Sequence, residues 1–119
     1  MEAYKRSQRV ASRMREELML LLRGMNDPRL AGAVVTRIEL TDDLAFARVL
    51  VRRELFEATP AERKTMLRGF ESASGRLRQQ VGRALGLRHA PELRFLYDEG
   101  QDAATRIEEL LHEIATEKK

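Results

Sequence analysis

The amino-acid sequence contains no cysteine, and its aromatic side chains amount to two tyrosines and four phenylalanines. Without cysteine, the 119-residue chain can form neither a disulfide framework nor a thiolate metal site, which is consistent with a cytoplasmic protein. Its longest wholly apolar run covers residues 18–22, far short of the roughly 20 residues of a membrane span, and no apolar signal core follows Met1. We therefore expect one cytoplasmic domain over residues 1–119 with no membrane contact.

Side chains that could support catalysis are few, and they are scattered along the sequence. His89 lies in a basic stretch and His112 in an acidic one, a spacing unsuited to a shared metal site. Asp42 and Asp43 are adjacent in a predicted turn, where such residues generally form the turn rather than act as acid and base. Neither glycine-rich phosphate-binding motif is present. The sequence thus predicts no catalytic residue, metal, cofactor or small-molecule substrate, and it favours a binding protein over an enzyme.

Apolar periodicity divides the sequence into helices and strands. The predicted elements are a helix over about 4–23, strands over 33–40 and 46–53, two helices between 60 and 86, a strand over 93–97 and a final helix over about 102–116. On the first strand, strict alternation places Val34, Thr36, Ile38 and Leu40 on one face. Thr59, Pro60 and Glu62 have the spacing of a capping box, which marks the start of the helical pair.

This order of elements predicts an α+β fold. A turn over residues 41–44 makes the first two strands an antiparallel hairpin, and a helical crossover makes the second and third strands parallel. We expect the order α-β-β-α-kink-α-β-α in a core over about 4–98, with the helices on one face of a three-stranded mixed sheet. The final helix has an apolar stripe at Ala103, Ile107, Leu110, Leu111 and Ile114 and acidic residues at Glu108, Glu109, Glu113 and Glu117. We expect this helix to lie away from any nucleic acid.

The stretch from 60 to 91 combines a predicted interruption with one-sided charge. Gly75 costs about 1 kcal/mol relative to alanine inside a helix, and serines beside it can bond to the backbone. We therefore expect a kink at Ala73, Ser74 and Gly75, where two helices meet. Residues 72–91 include no Asp or Glu, which favours a polyanionic partner. The arginines of this run are Arg76, Arg78, Arg83 and Arg88.

A second basic group lies on the first helix. Arg6, Arg9 and Arg13 share one side, although Glu16 and Glu17 follow one turn later and partly neutralise them. A solvated helix face is the simpler interpretation of either group, but the missing counter-charges of the later run favour contact with RNA phosphates. The candidate RNA-binding residues are Arg6, Arg9, Arg13, Ser74, Gly75, Arg76, Arg78, Arg83 and Arg88.

Five short motifs occur in order along the chain. They are Arg9-Val10-Ala11, Asp27-Pro28-Arg29-Leu30, Leu40-Thr41-Asp42-Asp43-Leu44, Ala73-Ser74-Gly75-Arg76-Leu77-Arg78 and Leu87-Arg88-His89-Ala90-Pro91-Glu92-Leu93-Arg94-Phe95. In this combination, and over nearly the full length, the sequence resembles the ribosome-binding factor A family of bacterial small-subunit assembly factors. The resemblance implies a type II KH-like fold in which an Ala-x-Gly kink, here residues 73–75, replaces the usual Gly-x-x-Gly loop.

The resemblance also implies the partners and the role. Family members bind the small (30S) ribosomal subunit near its neck and decoding region. They assist late maturation of the subunit, including processing of the 5′ end of 16S rRNA. We accordingly expect a monomeric ribosome-binding factor with 16S rRNA as its nucleic-acid partner.

Two other interpretations draw on the same residues. The kinked pair of helices and its arginines could belong to a helix-turn-helix DNA-binding regulator, although such a domain needs no flanking strands in this order. The apolar stripes of the first and last helices could instead form a protein-interaction surface, but stripes of this kind usually face a core.

Overall fold

The computed structural model of the protein describes residues 2–55 and 57–99. Over these residues the elements are α1 Glu2–Arg23, a short 3-10 helix η1 Pro28–Leu30, β1 Ala33–Leu40, β2 Phe46–Arg53, α2 Pro60–Leu85 and β3 Glu92–Tyr97. The sheet order is β1-β2-β3, with β1 antiparallel and β3 parallel to β2. The predicted α+β fold with a mixed sheet is confirmed. The predicted final helix over 102–116 lies outside the described residues.

The residues predicted to form two helices between 60 and 86 form one. α2 runs without a break from Pro60 to Leu85, so the prediction that two helices meet at residues 73–75 was wrong. Ala73 and Leu77, on either side of Gly75, are buried and continue the apolar stripe of the helix. Burial of this stripe outweighs the roughly 1 kcal/mol that a glycine costs in a helix, because each fully buried aliphatic side chain contributes a comparable or larger amount.

The ends of α2 follow the sequence signals. The capping box is confirmed: Thr59 Oγ1 accepts a hydrogen bond from the Glu62 N–H, and Glu62 Oε1 accepts one from the Thr59 N–H. At the other end Gly86 adopts the left-handed conformation with φ 65°, which favours glycine and ends the helix. The capping box and Gly86 therefore set where α2 begins and where it ends.

A β-bulge in β1 changes which residues of the strand point toward the core. The pairing of β1 with β2 shifts between Val35 and Arg37, so Thr36 is the extra residue. Val35 is fully buried, whereas Val34 and Thr36 are only partly buried. The prediction that Val34 and Thr36 share one face with Ile38 and Leu40 was therefore wrong, because a bulge breaks the two-residue period.

Both helices pack on one face of the sheet. The core contains Met14, Leu18, Leu30, Val35, Ala47, Val49, Val51, Met66, Phe70, Ala73, Leu77, Val81, Leu93 and Phe95. At its centre the rings of Phe70 and Phe95 stack with centroids 4.8 Å apart and join α2 to β3. The helices thus form one layer over the sheet.

α1 and α2 run antiparallel within this layer. Near the start of α1, Ser7 Oγ lies 3.4 Å from Asp42 Oδ1 in the β1–β2 turn. α2 ends at Leu85, shortly before Glu92, and Glu92 pairs with Phe46 at this same end of the sheet. The first half of α1 and the second half of α2 therefore lie at one end of the molecule.

Candidate nucleic-acid interface

The exposed side of α2 carries a stripe of basic and polar side chains. With 3.6 residues per turn, the stripe occupies about a quarter of the helix circumference. Its members are Arg68, Ser72, Arg76, Gln79 and Arg83, all exposed. Among the described residues, the guanidinium groups of Arg76 and Arg83 have no hydrogen-bond or ion-pair partner. The stripe therefore presents uncompensated positive charge to solvent.

Gly75 borders this stripe and has open space around it. A Cβ atom built at Gly75 would meet no heavy atom within 4 Å, so the fold itself does not require glycine there. Ser74 donates its hydroxyl hydrogen to the Glu71 carbonyl oxygen at 2.8 Å, a contact that tends to bend a helix slightly. A bend of α2 at Ala73, Ser74 and Gly75 stays a prediction. The open backbone at Gly75 is a place where another molecule could approach closely.

A groove lies beside the stripe, between α2 and the loop that follows α1. It has a volume of about 470 Å³ and is lined by Gly24, Met25, Asn26, Asp27, Arg29, Ser72, Ala73 and Arg76. Arg29 Nη2 donates to Asp27 Oδ2 at 2.7 Å, and Arg29 Nη1 lies 3.5 Å from Ser72 Oγ. The side-chain hydrogen bonds from Arg29 lower the pKa of Asp27 below its usual value. Asp27 therefore stays ionised and orients Arg29 toward the stripe.

Close packing at Gly69 fixes the position of this loop. A Cβ at Gly69 would lie 2.9 Å from Leu30 Cδ2, closer than real Cβ contacts, and 3.0 Å from Arg29 Cβ, which is tighter than most of them. The absence of a side chain at Gly69 thus lets η1 sit directly against α2. Arg29 owes its place beside Ser72 to this contact.

Arg78 lies on the other flank of α2 and is bound to the loop before β3. Its Nε and Nη2 donate to the Ala90 carbonyl oxygen at 3.1 and 2.9 Å. Three of its five N–H donors are left, so a phosphate contact is compatible with this role. Arg78 is consequently a structural residue as well as a candidate RNA-binding residue.

Arg6, Arg9 and Arg13 of α1 lie near the basic stripe of α2, whereas Arg15 faces β1. Arg15 Nε donates to the Val35 carbonyl oxygen at 2.9 Å, on the free edge of β1. Helix geometry places Arg6 and Arg13 on the opposite flank of α1, toward α2, and Arg9 on the exposed side. Because α1 and α2 are antiparallel neighbours, these arginines lie at the end of the molecule where Arg83 and the exposed Arg88 also lie.

Sequence reasoning missed Arg29 and Arg68. Arg68 precedes the acid-free run at 72–91, but its spacing of four residues from Ser72 and eight from Arg76 was a usable signal. Arg29 gave no such signal, because it reaches α2 only through the packing of η1 on Gly69. Both side chains extend the basic stripe toward the loop after α1.

The described part of the chain offers little support for other kinds of site. Over residues 2–55 and 57–99, no group of three or more His, Asp and Glu side chains could hold a metal ion. Neither α1 nor α2 combines the length and hydropathy needed to span a bilayer. The fold and this surface together define the class: an α+β domain whose basic helical face suits a polyanionic partner.

Comparison with known sequences identifies the family. The sequence model of the family described as ribosome-binding factor A matches residues 6–111. The ribosome-binding factor A of Sorangium cellulosum is 57% identical over 110 residues, which cover 92% of this chain and 89% of that protein. That of Brevibacillus brevis is 41% identical over 113 residues, covering 94% and 91% of the two chains. The chain belongs to the ribosome-binding factor A family, and it has the KH-like α+β fold that the resemblance implied.

Structures of related proteins share this fold. The crystal structure of Thermus thermophilus ribosome-binding factor A superposes with a TM-score of 0.66 at 24% identity, covering 76% of this chain and 93% of that one. The solution structure of a Thermotoga maritima protein gives a TM-score of 0.69 at 35% identity, covering 80% and 89%. A homology model of the Thermus thermophilus ribosome binding factor A, fitted into a cryo-EM map of its complex with the 30S subunit, gives a TM-score of 0.59 at 26% identity, covering 72% and 88%.

Proposed function

We propose that the protein is a cytoplasmic, non-enzymatic factor that binds the small ribosomal subunit through 16S rRNA and assists the late maturation of that subunit. The observation that carries this proposal is the convergence of unpartnered arginines of α1 and α2 on one helical surface. Membership of the ribosome-binding factor A family and the 30S complex of the Thermus thermophilus relative support the choice of partner. Binding near the neck and decoding region, processing of the 5′ end of 16S rRNA and a monomeric state belong to the same proposal.

The contact uses phosphates more than bases. Arginine forks donate paired hydrogen bonds to phosphate oxygens, and Arg76 and Arg83 have no competing intramolecular partner among the described residues. Gly75 lets the RNA backbone approach α2 closely beside the basic stripe. The aromatic residues Phe70 and Phe95 are buried in the core, so they are not available for base stacking. Shape and charge therefore dominate recognition on this surface.

Holding an RNA junction is the mechanistic step we assign to this surface. The N-terminal half of α1 and the C-terminal half of α2 provide two rows of arginines, and these rows can contact two RNA strands at once. Bridging two strands stabilises their junction until the subunit completes its folding. The protein then needs no bond-forming chemistry to assist maturation.

The helix-turn-helix alternative loses its main support. It needed a turn at residues 73–75, and α2 is continuous there. The protein-interaction alternative also weakens for α1, because Met14 and Leu18 of its apolar stripe are buried in the core. A ribosomal RNA partner is the function that the surface supports best.

Charge reversal on α2 tests the proposal. We expect the double variant Arg76→Glu/Arg83→Glu to lose saturable co-sedimentation with isolated small subunits, since a repulsive charge replaces each phosphate contact. Its melting temperature should change little, because neither side chain has a partner among the described residues. The measurement is co-sedimentation with small subunits, large subunits and intact ribosomes.

A matched control separates the site from net charge. The variant Arg37→Glu/Arg94→Glu changes the net charge equally, but on the opposite face of the sheet, and should keep its binding. Loss of binding in both variants would indicate attraction by net charge alone. Full binding by the α2 variant would rule out the proposed interface.

A further inference from the structure

The groove between α2 and the loop that follows α1 has the size of a ligand site. Its volume of about 470 Å³ falls within the roughly 300–1,000 Å³ that is typical of small-molecule sites. Its lining is mostly polar, which argues against an apolar peptide as its occupant. It also lies directly beside the basic stripe, so an RNA strand that follows the stripe passes its mouth.

One side of the groove carries hydrogen-bond donors that suit a phosphate. Arg29 spends two of its nitrogens on Asp27, because Nε lies 3.0 Å from Oδ1 and Nη2 lies 2.7 Å from Oδ2. Its Nη1 is left over, 3.5 Å from Ser72 Oγ, which is long for a hydrogen bond. Arg76 lies one turn after Ser72 and has no partner among the described residues. Arg29 Nη1, the Ser72 hydroxyl and the Arg76 guanidinium can therefore donate to the same anion.

The net charge on this side of the groove is positive. Asp27 is the one carboxylate among the lining residues, and its two oxygens are already bound by Arg29. Glu71 is next to Ser72 in the sequence but does not line the groove, and Arg68, one turn before Ser72, offsets its charge. Arg76 is then the uncompensated charge, and it favours an anionic group at this position.

The other side of the groove suits a nucleobase. Asn26 is exposed, and its side-chain amide makes no hydrogen bond to any described residue. An asparagine amide has a donor and an acceptor side by side, which match N7 and N6 of adenine. The half-buried Met25 lines the groove next to Asn26 and offers apolar surface for the flat side of a base.

We propose that the groove holds one unpaired nucleotide of the bound RNA. Its base lies against Met25 and Asn26, and its phosphate lies between Arg29, Ser72 and Arg76. This role rests on the proposed function and adds a preference to it. The stripe of α2 accepts any RNA backbone, whereas the groove accepts only a nucleotide that has left its helix, since a paired base stays inside the duplex. The protein then favours a bulge or a junction over a regular duplex.

Binding of the full-length protein to two short RNA duplexes tests this preference. The two RNAs are the same duplex with and without a single bulged adenosine, and fluorescence anisotropy measures the two dissociation constants. We expect the parent protein to bind the bulged RNA about tenfold more tightly. Asn26→Ala should remove this preference but keep the affinity for the paired duplex. Its melting temperature should not change, because the Asn26 side chain has no partner in the described part of the chain.

Two further variants separate the groove from the stripe. Gln80→Ala removes an exposed amide of α2 that does not line the groove, so this variant should retain the preference for the bulged RNA. Arg76→Glu/Arg83→Glu should weaken the binding of both RNAs, since it removes phosphate contacts that both of them make.

Two outcomes would overturn the inference. Equal dissociation constants of the parent protein for the two RNAs would mean that no site for an unpaired nucleotide exists. A preference that survives Asn26→Ala would place such a site outside this groove. Neither outcome touches the proposed function as long as the parent protein still co-sediments with small subunits, and loss of that co-sedimentation would contradict the proposed function instead.

Discussion

Gly69 and Gly75 lie six residues apart on α2 and have opposite surroundings. Gly69 is pressed against η1, while nothing in the chain lies within 4 Å of a Cβ at Gly75. The sequence drew attention to Gly75, because a glycine that follows two nearby serines, Ser72 and Ser74, is a local signal. It gave no reason to single out Gly69, because the residues that crowd it come from a distant part of the chain. An added side chain at Gly69 would therefore press on Leu30 and Arg29.

Alanine substitutions at the two positions should have opposite effects. Gly75→Ala should raise the free energy of unfolding by up to about 1 kcal/mol, since alanine is the better helix former. Gly69→Ala should lower it by roughly 1–3 kcal/mol, because the new methyl group overpacks against Leu30 and Arg29. Urea unfolding measures both changes.

The same pair tests the role of the open backbone. If RNA approaches α2 at Gly75, Gly75→Ala should weaken small-subunit binding although it stabilises the protein. A stabilised Gly75→Ala variant with unchanged binding would contradict a close approach at this position.

Arg78 has a structural contact that a sequence motif could not reveal. We expect Arg78→Ala to lower the free energy of unfolding by about 1 kcal/mol, because it removes the hydrogen bonds to the Ala90 carbonyl oxygen. Arg83→Ala is the control and should leave stability unchanged. Equal melting temperatures for the two variants would show that the Ala90 contact contributes nothing.

At the scale of single elements, the N-terminus of α2 is sensitive to acid. Hydrogen bonding from the Thr59 backbone N–H, followed in importance by that from Arg53, lowers the pKa of Glu62 to about 2. A carboxyl with a depressed folded-state pKa stabilises the fold above its unfolded-state value, near 4.5. That stabilisation is lost as the pH falls from about 4.5 toward 2.

Substitution of Glu62 should reduce this acid dependence. Glu62→Gln keeps the shape of the cap but removes the titrating charge, so its melting temperature should be lower than that of the parent protein at pH 7. The difference between the two proteins should shrink as the pH is lowered through this window. A difference that stays constant with pH would assign the effect to packing instead of charge. Thermal melts at a series of pH values provide the measurement.

The elements differ in how far sequence could predict them. The hairpin and the cap of α2 rest on local signals, and both match the structure. The sequence pattern of β1 does not reveal the bulge at Thr36, because Val34 and Val35 are both apolar and could each point toward the core. The sequence also did not predict that α2 continues through Gly75, since this depends on the burial of Ala73 and Leu77 in the core.

At the scale of the whole molecule, binding should depend steeply on salt. Arginines that neutralise phosphates release counterions, so the logarithm of the association constant should fall linearly with the logarithm of salt concentration. Arg83→Ala should reduce the magnitude of that slope by about one, whereas Arg94→Ala, on the face of the sheet away from α1 and α2, should leave it unchanged. A slope near zero for the parent protein would contradict a phosphate-dominated contact.

The overall architecture was the most predictable level. The order of elements, with a hairpin turn and then a helical crossover, was enough to derive one antiparallel and one parallel pairing in a single sheet. The surface was less predictable, because it depends on how α1 and α2 lie side by side. The groove with Arg29 arises from contact between η1 and α2, and no short stretch of sequence encodes it.

The parallel pairing of β2 with β3 has a consequence for how the chain folds during its own synthesis. The β1–β2 hairpin and α2 can form from neighbouring residues, but Phe46 pairs with Glu92, 46 positions later. Until that last strand leaves the ribosome exit tunnel, β2 keeps an unpaired edge and Phe70 lacks its stacking partner Phe95. The nascent chain therefore acquires its native core only after β3 has emerged and closes the sheet.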